Sequence, residues 1–395
     1  MSEKVLVAGV GMIPFRKPGT SASYTVMGAE AVRLALADAG IAYPQVQSAY
    51  AGYVYGDSTC GQTALYEVGR TGIPVFNVNN NCSSGSSALY LARAAVAHGE
   101  VDCALALGFE QMPPGALTSH WADRPPTRER FQPIWRELTA DVEDIPQAIR
   151  CFGGAGREHM RRYGTRMQTF AAIRAKASRH AANNPLAVFR NVVTTDDVMN
   201  DKVIWPGVVT RLMACPPTCG AAAAIVVSEQ FAKRHSLRTD VCILAQAMTT
   251  DPVESFDPPS LISYVGVHMT RAAANKVYEQ AGIGPDDIRV CELHDCFAHN
   301  ELLTYEALGF CPDGGGEKFV VDGENTYGGQ VVTNPSGGLL SKGHPLGATG
   351  LAQCFELTHQ LRGTADKRQA ESVQFALQHN LGLGGACVVT LYGKN

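Results

Sequence analysis

The sequence predicts an α/β protein assembled from two similar units with an irregular excursion between them. Three observations carry this. Apolar strand-length runs alternate with helical runs from Val5 to Leu107, and the alternation restarts at Val241 and continues to Tyr392. In both stretches a polar, glycine-rich turn leads into a helix rich in small residues, after Cys82 in one and after His344 in the other. Strands alternating with helices imply parallel pairing and sheets covered on their faces. The matched turns imply an internal duplication that residue identity alone barely shows.

The elements follow in order. Val5–Val10 is an apolar strand ending in Gly-Val-Gly-Met, and Tyr24–Ala39 has apolar residues at helical spacing with Gly40 as its stop. Ala49–Val54 reads as a strand, Ala64–Arg70 as a short helix, and Val75–Val78 as a strand running into Asn79-Asn80-Asn81-Cys82. Ser83–His98 is a helix rich in Ala and Leu, closed by Gly99, and Val101–Leu107 is a fully apolar strand. In the second unit, Val241–Ala247 is a strand and Arg271–Gln280 sits in a helix stopped by Gly282. Ile288–Leu293 is a strand ending at His294-Asp295-Cys296-Phe297, followed by a helix over Asn300–Leu308. Gly347–Leu361 is a long helix stopped by Gly363, and Val373–Leu377 and Cys387–Tyr392 are closing strands. The intervening Thr118–Pro206 clusters Arg, Trp and Pro with weak periodicity. It reads as an excursion over an active site, the alternative being a plain insertion. Residues 1–117 with 207–240 then form the first half, 118–206 the excursion, and 241–395 the second half.

Composition narrows the function classes. Of 395 residues, 45% are hydrophobic and 18% charged, as in an ordinary globular protein. A net charge of −4 leaves no basic stripe for nucleic acid. There is no apolar run of about 18 residues, so no membrane insertion is expected. The opening MSEKVLVAGVGM lacks a basic leader and a small-residue cleavage site. The twelve cysteines are scattered with no CxxC pair, which suits a reducing compartment and mostly buried thiols. Cys215 and Cys219 lack a second ligand pair at zinc spacing, so no metal is expected. The final GKN is not an S-K-L address, and the expected location is cytoplasmic, or peroxisomal in a eukaryote.

Four stretches carry chemistry. In NVNNNCSSGSS, Cys82 stands at a helix N-terminus, where free N–H groups and the dipole favour a thiolate and lower its pKa. The alternative is a buried structural cysteine. In NPSGGLLSKGHPLGATG, the glycines around His344 imply close backbone approach, and a histidine there can take a thiol proton at neutral pH. The alternative is a histidine capping its own helix. In ELHDCFAHNELL, His294 and Cys296 lie at the C-terminal end of a strand, where α/β folds place ligands. Cys296 can serve as acid or base and His294 can donate to an oxyanion. Asp295 reads as a helix cap with Glu301 supporting the helix start, and strand-end capping is the alternative for the pair. In QHNLGLGGA, Gln378–Ala386, three glycines between closing strands suggest N–H donors to an oxyanion, and His379 is either structural or a pocket residue.

Taken together, NNNCSSGS, HDCF, NPSGGLLSKGHPLGATG and QHNLGLGG resemble the sterol-carrier-protein-type 3-ketoacyl-CoA thiolases. GDSTCGQ, ALGFE, NELLTYEALG and ENTYGG extend the resemblance over nearly the whole chain. HDCF marks that branch; conventional thiolases resemble NEAF there and carry a second cysteine in a late C-x-G loop. Here that loop reads QHNLG, and the resemblance passes the role to Cys296. One stretch departs: Cys-Pro-Pro-Thr-Cys-Gly, from Cys215 to Gly220, stands where the family tends to have Cys-Pro-Thr-Ser-Asp-Gly.

The resemblance implies a thiolase fold of two duplicated mixed-sheet halves in αβαβα layers, with a loop domain that receives coenzyme A. It implies a homodimer or a dimer of dimers, with acyl-CoA and CoA as partners, CoA as co-substrate and no cofactor. It implies His344 as base, Cys82 as nucleophile, the Cys82 and Gly382 N–H groups at the oxyanion, and Cys296 with His294 at the enolate. Phe152 and Gly153 resemble, loosely, the Met-Gly pair of the loop domain and are candidate pocket residues. The chain reads as the thiolase part alone. Two other readings stand beside it: a thiolase-like aldolase acting on steroid side-chain CoA esters, and a non-catalytic acyl-CoA or lipid-binding protein.

Overall fold

The computed structural model describes residues 3–395 apart from 116, 118–120, 122 and 143. The start expected for the excursion, Thr118, lies outside the described residues. Five strands make the first half: β1 (Val5–Met12), β2 (Ser48–Gly52), β3 (Val75–Val78), β4 (Cys103–Glu110) and, after a hairpin of β5 (Val203–Trp205) and β6 (Val209–Thr210), β7 (Gly220–Ser228). The second half is β8 (Val241–Thr249), β9 (Val290–Glu292), β10 (Val332–Thr333), β11 (Phe375–Gly382) and β12 (Ala386–Lys394). Their spatial orders are β3-β2-β4-β7-β1 and β10-β9-β11-β12-β8. Ranked within each half, both read third, second, fourth, fifth, first, which is the duplication in topological form.

The halves are not separate sheets. The bare edges of β1 and β8 pair antiparallel through Val5 with Ile243 and Leu6 with Cys242, making one ten-stranded mixed sheet. At these residues the junction gives edge N–H and C=O groups partners.

Strand alternation then sorts the core into layers. On β4, Leu105 and Leu107 face an outer cluster with Val32, Ala35 and Leu36 of the Tyr24–Ala39 helix. Ala104 and Ala106 face a central cluster with Ala88 and Leu89 of the Ser84–Ala97 helix and Leu351 and Ala352 of the Thr349–Arg362 helix. Those two helices pack on each other and on strands of both halves. A second outer cluster joins Val277 and Leu302 to Leu377 and Val389. The result is helix, first half of the sheet, paired helices, second half of the sheet, helix. The centre is where both halves deliver a helix N-terminus.

The excursion is more regular than its sequence suggests. Gln147–Tyr163 and Met167–Ala182 are full helices. The first is buried all round from Arg150 to Gly156 and again at His159, and ends in Arg161, Arg162 and a left-handed Gly164 cap. Five of those eight buried residues are polar or glycine, so no apolar stripe marks the helix in the sequence. β7 sits antiparallel between β1 and β4 and had no counterpart among the expected elements.

Candidate active site

Cys82 follows β3 through a turn in which Asn81 adopts a left-handed φ of 51°. Asn and Asp tolerate that conformation best among non-glycine residues. The turn aims the sulfur at the seam between the two halves. There Gly85, in the first turn of the helix after Cys82, approaches the His344 loop so closely that a Cβ would meet the Gly347 carbonyl at 2.5 Å. The Cys82 sulfur and one ring nitrogen each of His294 and His344 lie within 4.8 Å of one another, all three residues buried. The two imidazoles meet edge to face at 5.0 Å.

Hydrogen bonds assign the tautomers. His344 Nδ1 lies 2.7 Å from Thr349 Oγ1, whose hydroxyl donates to the Pro345 carbonyl at 3.0 Å. Thr349 therefore accepts from Nδ1–H, which leaves the lone pair on Nε2. That atom is buried without a partner among the described residues. Asn380 fixes His294 the opposite way. Its Oδ1 accepts from Ser86 at 2.8 Å, so its amide nitrogen donates to the Cys82 carbonyl at 3.2 Å and to His294 Nδ1 at 3.1 Å. His294 thus carries its proton on Nε2. A nitrogen held as a donor is unsuited to ligation, so the trio's spacing alone does not make it a metal site.

Burial also sets the charges. Desolvation, with Glu110 nearby, pushes the Cys82 thiol up to about 12. This reverses the expected thiolate: a helix N-terminus offers roughly half a positive charge, and full burial beside a carboxylate outweighs it. Desolvation, with Lys342 nearby, lowers His344 to about 3, and burial lowers His294 well below its usual value. The resting site is a thiol beside a neutral base and a neutral donor. Glu110, raised to about 7 by burial, accepts from Val54, Tyr55 and Gly347 at 2.9–3.0 Å and so ties the His344 loop to the first half.

Asp295 corrects another expectation. It does not cap its own helix; its carboxylate accepts from Leu339 N–H at 2.7 Å and Leu340 N–H at 3.3 Å. Gly338 makes this possible, since a Cβ there would lie 2.1 Å from Asp295 Oδ2. The carboxylate thereby ties the turn leading to His344 to the strand end bearing His294 and Cys296. Nor does Glu301 support its helix start: it pairs with Lys176 of the excursion, both fully buried, and accepts from Tyr305.

The late glycine segment differs from its reading as a loop. Gln378–Gly382 is the second half of β11, so successive side chains face opposite ways. Asn380 faces Cys82, while His379 faces away, its Nε2 3.0 Å from Thr270 Oγ1 and its Nδ1 accepting from His294 N–H at 3.4 Å. His379 is therefore a structural residue behind His294, and Asn380 is the residue that reading the segment as a strand would have found. Gly382 packs against the loop before Cys82, where a Cβ would lie 2.2 Å from the Asn80 carbonyl.

A cleft of about 500 Å³ opens onto the site, with His344, Asn81 and Cys215 in its wall. Apolar residues from both halves (Met112, Leu346, Leu383) and from the excursion (Ala148, Ile149) line it. Phe152 and Gly153 do not. Phe152 stacks at 5.1 Å behind Phe297, which does line the cleft, and Gly153 packs against Val209 and Trp205. Cys296 is 5% exposed, and its carbonyl accepts from Cys215 N–H at 2.9 Å.

A cysteine facing a neutral histidine base at the meeting of two duplicated halves is the arrangement expected of an acyl-transferring enzyme. Residues 5–203 match the family model of the thiolase N-terminal domain and residues 261–392 that of the thiolase C-terminal domain-like family, and the chain belongs to the thiolase family. It is 52% identical over 398 residues to sterol carrier protein 2 of Oryctolagus cuniculus, covering 98% of this chain and 72% of that protein. This places it with sterol-carrier-protein-type thiolases. Among solved structures it resembles an Ltp2-ChsH2(DUF35) aldolase, with TM-score 0.82 and 23% identity over 99% of this chain and 98% of that one. It also resembles human mitochondrial 3-ketoacyl-CoA thiolase, with TM-score 0.73 and 18% identity over 100% of this chain and 99% of that one. At those identities both likenesses concern the fold alone. Among the described residues no helix is long and apolar enough to cross a membrane.

Proposed function

We propose that the protein is a 3-ketoacyl-CoA thiolase that passes the acyl group to coenzyme A through a thioester on Cys82. The observation that carries this reading is the buried Cys82 sulfur within 4.8 Å of a His344 ring nitrogen: the resting thiol donates to Asn81 Oδ1 at 3.5 Å, and the His344 Nε2 lone pair, without a partner among the described residues, is free to take its proton. Because the resting sulfur is protonated, proton removal must accompany attack, and a neutral imidazole lowered to about 3 is available as base throughout the neutral range. The thiolate attacks the 3-keto carbon, and the Cys82 and Gly382 N–H groups stabilise the oxyanion. The C2–C3 bond breaks, leaving acyl-Cys82 and an enolate whose oxygen receives the His294 Nε2–H. Cys296 protonates the enolate carbon. The Cys296 thiolate then takes the CoA thiol proton, the CoA sulfur attacks the acyl-Cys82 carbonyl, and the departing Cys82 thiolate regains its proton from the His344 imidazolium.

Residues 118–206 serve in this reading as the CoA-receiving domain, since Ala148 and Ile149 stand in the cleft wall. The apolar cleft suits an acyl chain, with branched or sterol side-chain substrates within its range. We also propose a homodimer through β3. That strand ends the sheet, and Phe76 on it and Tyr66 beside it are 51% and 58% exposed. An exposed edge strand is a ready template for pairing with a second copy. The test of function is a panel of 3-ketoacyl-CoAs assayed with free CoA for release of acetyl-CoA or propionyl-CoA. Retro-aldol cleavage of hydroxyacyl-CoA esters without CoA consumption would favour an aldolase instead.

A further inference from the structure

Two thiols besides Cys82 converge on the site. Ala214 and Phe297 pair across a short antiparallel bridge, with Cys215 N–H donating to the Cys296 carbonyl. The next residues along such a bridge stand directly opposite with side chains on one face, their Cβ atoms about 4.5–5.5 Å apart. These residues are Cys215 and Cys296. Each lies near enough to Cys82 for charge there to raise its proton affinity. They differ in access. Cys215 is partly exposed and forms part of the cleft wall, whereas Cys296 is 5% exposed and, among the described residues, is not part of that wall.

Cys296, buried to about the same degree as Cys82, can give one proton to a substrate held against that sulfur, but it must then be recharged. We propose that Cys215 is a further catalytic residue, carrying the proton from the thiol of incoming coenzyme A to Cys296. This rests on the thiolase reading above. The sequence of transfers balances. The Cys296 S–H bond breaks as the C2–H bond forms, leaving a Cys296 thiolate. Cys215 gives its proton to that thiolate and then takes one from the CoA S–H. The resulting CoA thiolate attacks the acyl carbonyl, and the departing Cys82 thiolate takes its proton from the His344 imidazolium. The Cys215 side chain reaches the cleft although its surroundings largely desolvate it, and that desolvation, with charge at Cys82, raises its proton affinity, which suits its thiolate to take the CoA proton.

The test is rapid-quench kinetics with 3-ketooctanoyl-CoA and CoA on the full chain. Cys215→Ala is expected to release one equivalent of acetyl-CoA per site in a burst, leave hexanoyl on Cys82, and then turn over about 10²–10⁴-fold more slowly than the parent. Cys296→Ala is expected to show no burst. Cys215→Ser, which keeps the volume but not an ionisable thiol, is expected to behave as Cys215→Ala. A steady-state rate within twofold of the parent in Cys215→Ala would overturn the proposal. So would a missing burst, whether or not a simple thioester still acylates Cys82 in that variant. If the unmodified protein neither cleaves the substrate nor becomes acylated, the thiolase reading itself fails.

Discussion

Asn380→Asp isolates the tautomer of His294. The amide nitrogen of Asn380 supplies two protons, one to the Cys82 carbonyl and one to His294 Nδ1. A carboxyl oxygen in its place carries at most one. The Cys82 carbonyl can only accept, whereas His294 can move its proton, so His294 is expected to switch to Nδ1–H and lose the Nε2–H that faces the substrate. Removing one such oxyanion donor costs about 10²–10³ in rate, or about 2.7–4 kcal/mol. The base is untouched, because His344 is held by Thr349. Acylation of Cys82 by a simple thioester should therefore persist while exchange of deuterium at C2 of acetyl-CoA falls by that factor. Nitrogen-15 NMR of labelled histidine reads the tautomer directly. Exchange within threefold of the parent would refute the reasoning, as would His294 protonated at Nδ1 in the unmodified protein.

Other predictions address the supporting groups. Thr349→Val strands His344 Nδ1–H in a buried site at about 1–3 kcal/mol, so Cys82 acylation should slow roughly 10- to 100-fold; an unchanged acylation rate would remove Thr349 from the account. Lys176→Met leaves Glu301 buried without its cation and should cost about 3–5 kcal/mol in denaturant unfolding; a loss under 1 kcal/mol would contradict a paired, charged Glu301. Glu110 has its folded value raised from 4.5 to about 7, so the native state holds the proton more tightly than the unfolded chain. Its contribution is fully present below pH 4.5 and lost as pH rises through 7, by about 3 kcal/mol at 1.36 kcal/mol per unit. Glu110→Gln should flatten that part of the stability–pH curve, and an unchanged slope between pH 5 and 7 would assign it to other groups.

Much of this architecture is legible in the chain because local signals carry it. Gly40, Gly282 and Gly363 each stop a helix in the left-handed conformation, and the Tyr24–Ala39 and Val75–Val78 elements have the expected bounds. The polar turns that lead from Cys82 and from His344 into helices follow from composition alone. What escaped depends on distant partners. Asn380 looks like a loop residue until β12 pairs with it and reveals β11. The Gln147–Tyr163 helix buries Arg150 and His159, whose partners Thr139 and Glu306 lie elsewhere in the chain. Cys215 is one cysteine of twelve until the bridge at Ala214 sets it opposite Cys296. The protonation of Cys82 was misjudged because a helix terminus is visible in sequence, whereas full burial beside Glu110 is not.

The central claim is that Cys82 carries the acyl group. The direct measurement is intact-protein and peptide mass spectrometry after incubation with 3-ketooctanoyl-CoA without added CoA. The account predicts one hexanoyl group per chain, on the peptide containing Cys82, removed on addition of CoA and absent in Cys82→Ser. An adduct on Cys296 or Cys215 with Cys82 unmodified, or cleavage of the substrate by Cys82→Ser at the parent rate, would contradict it.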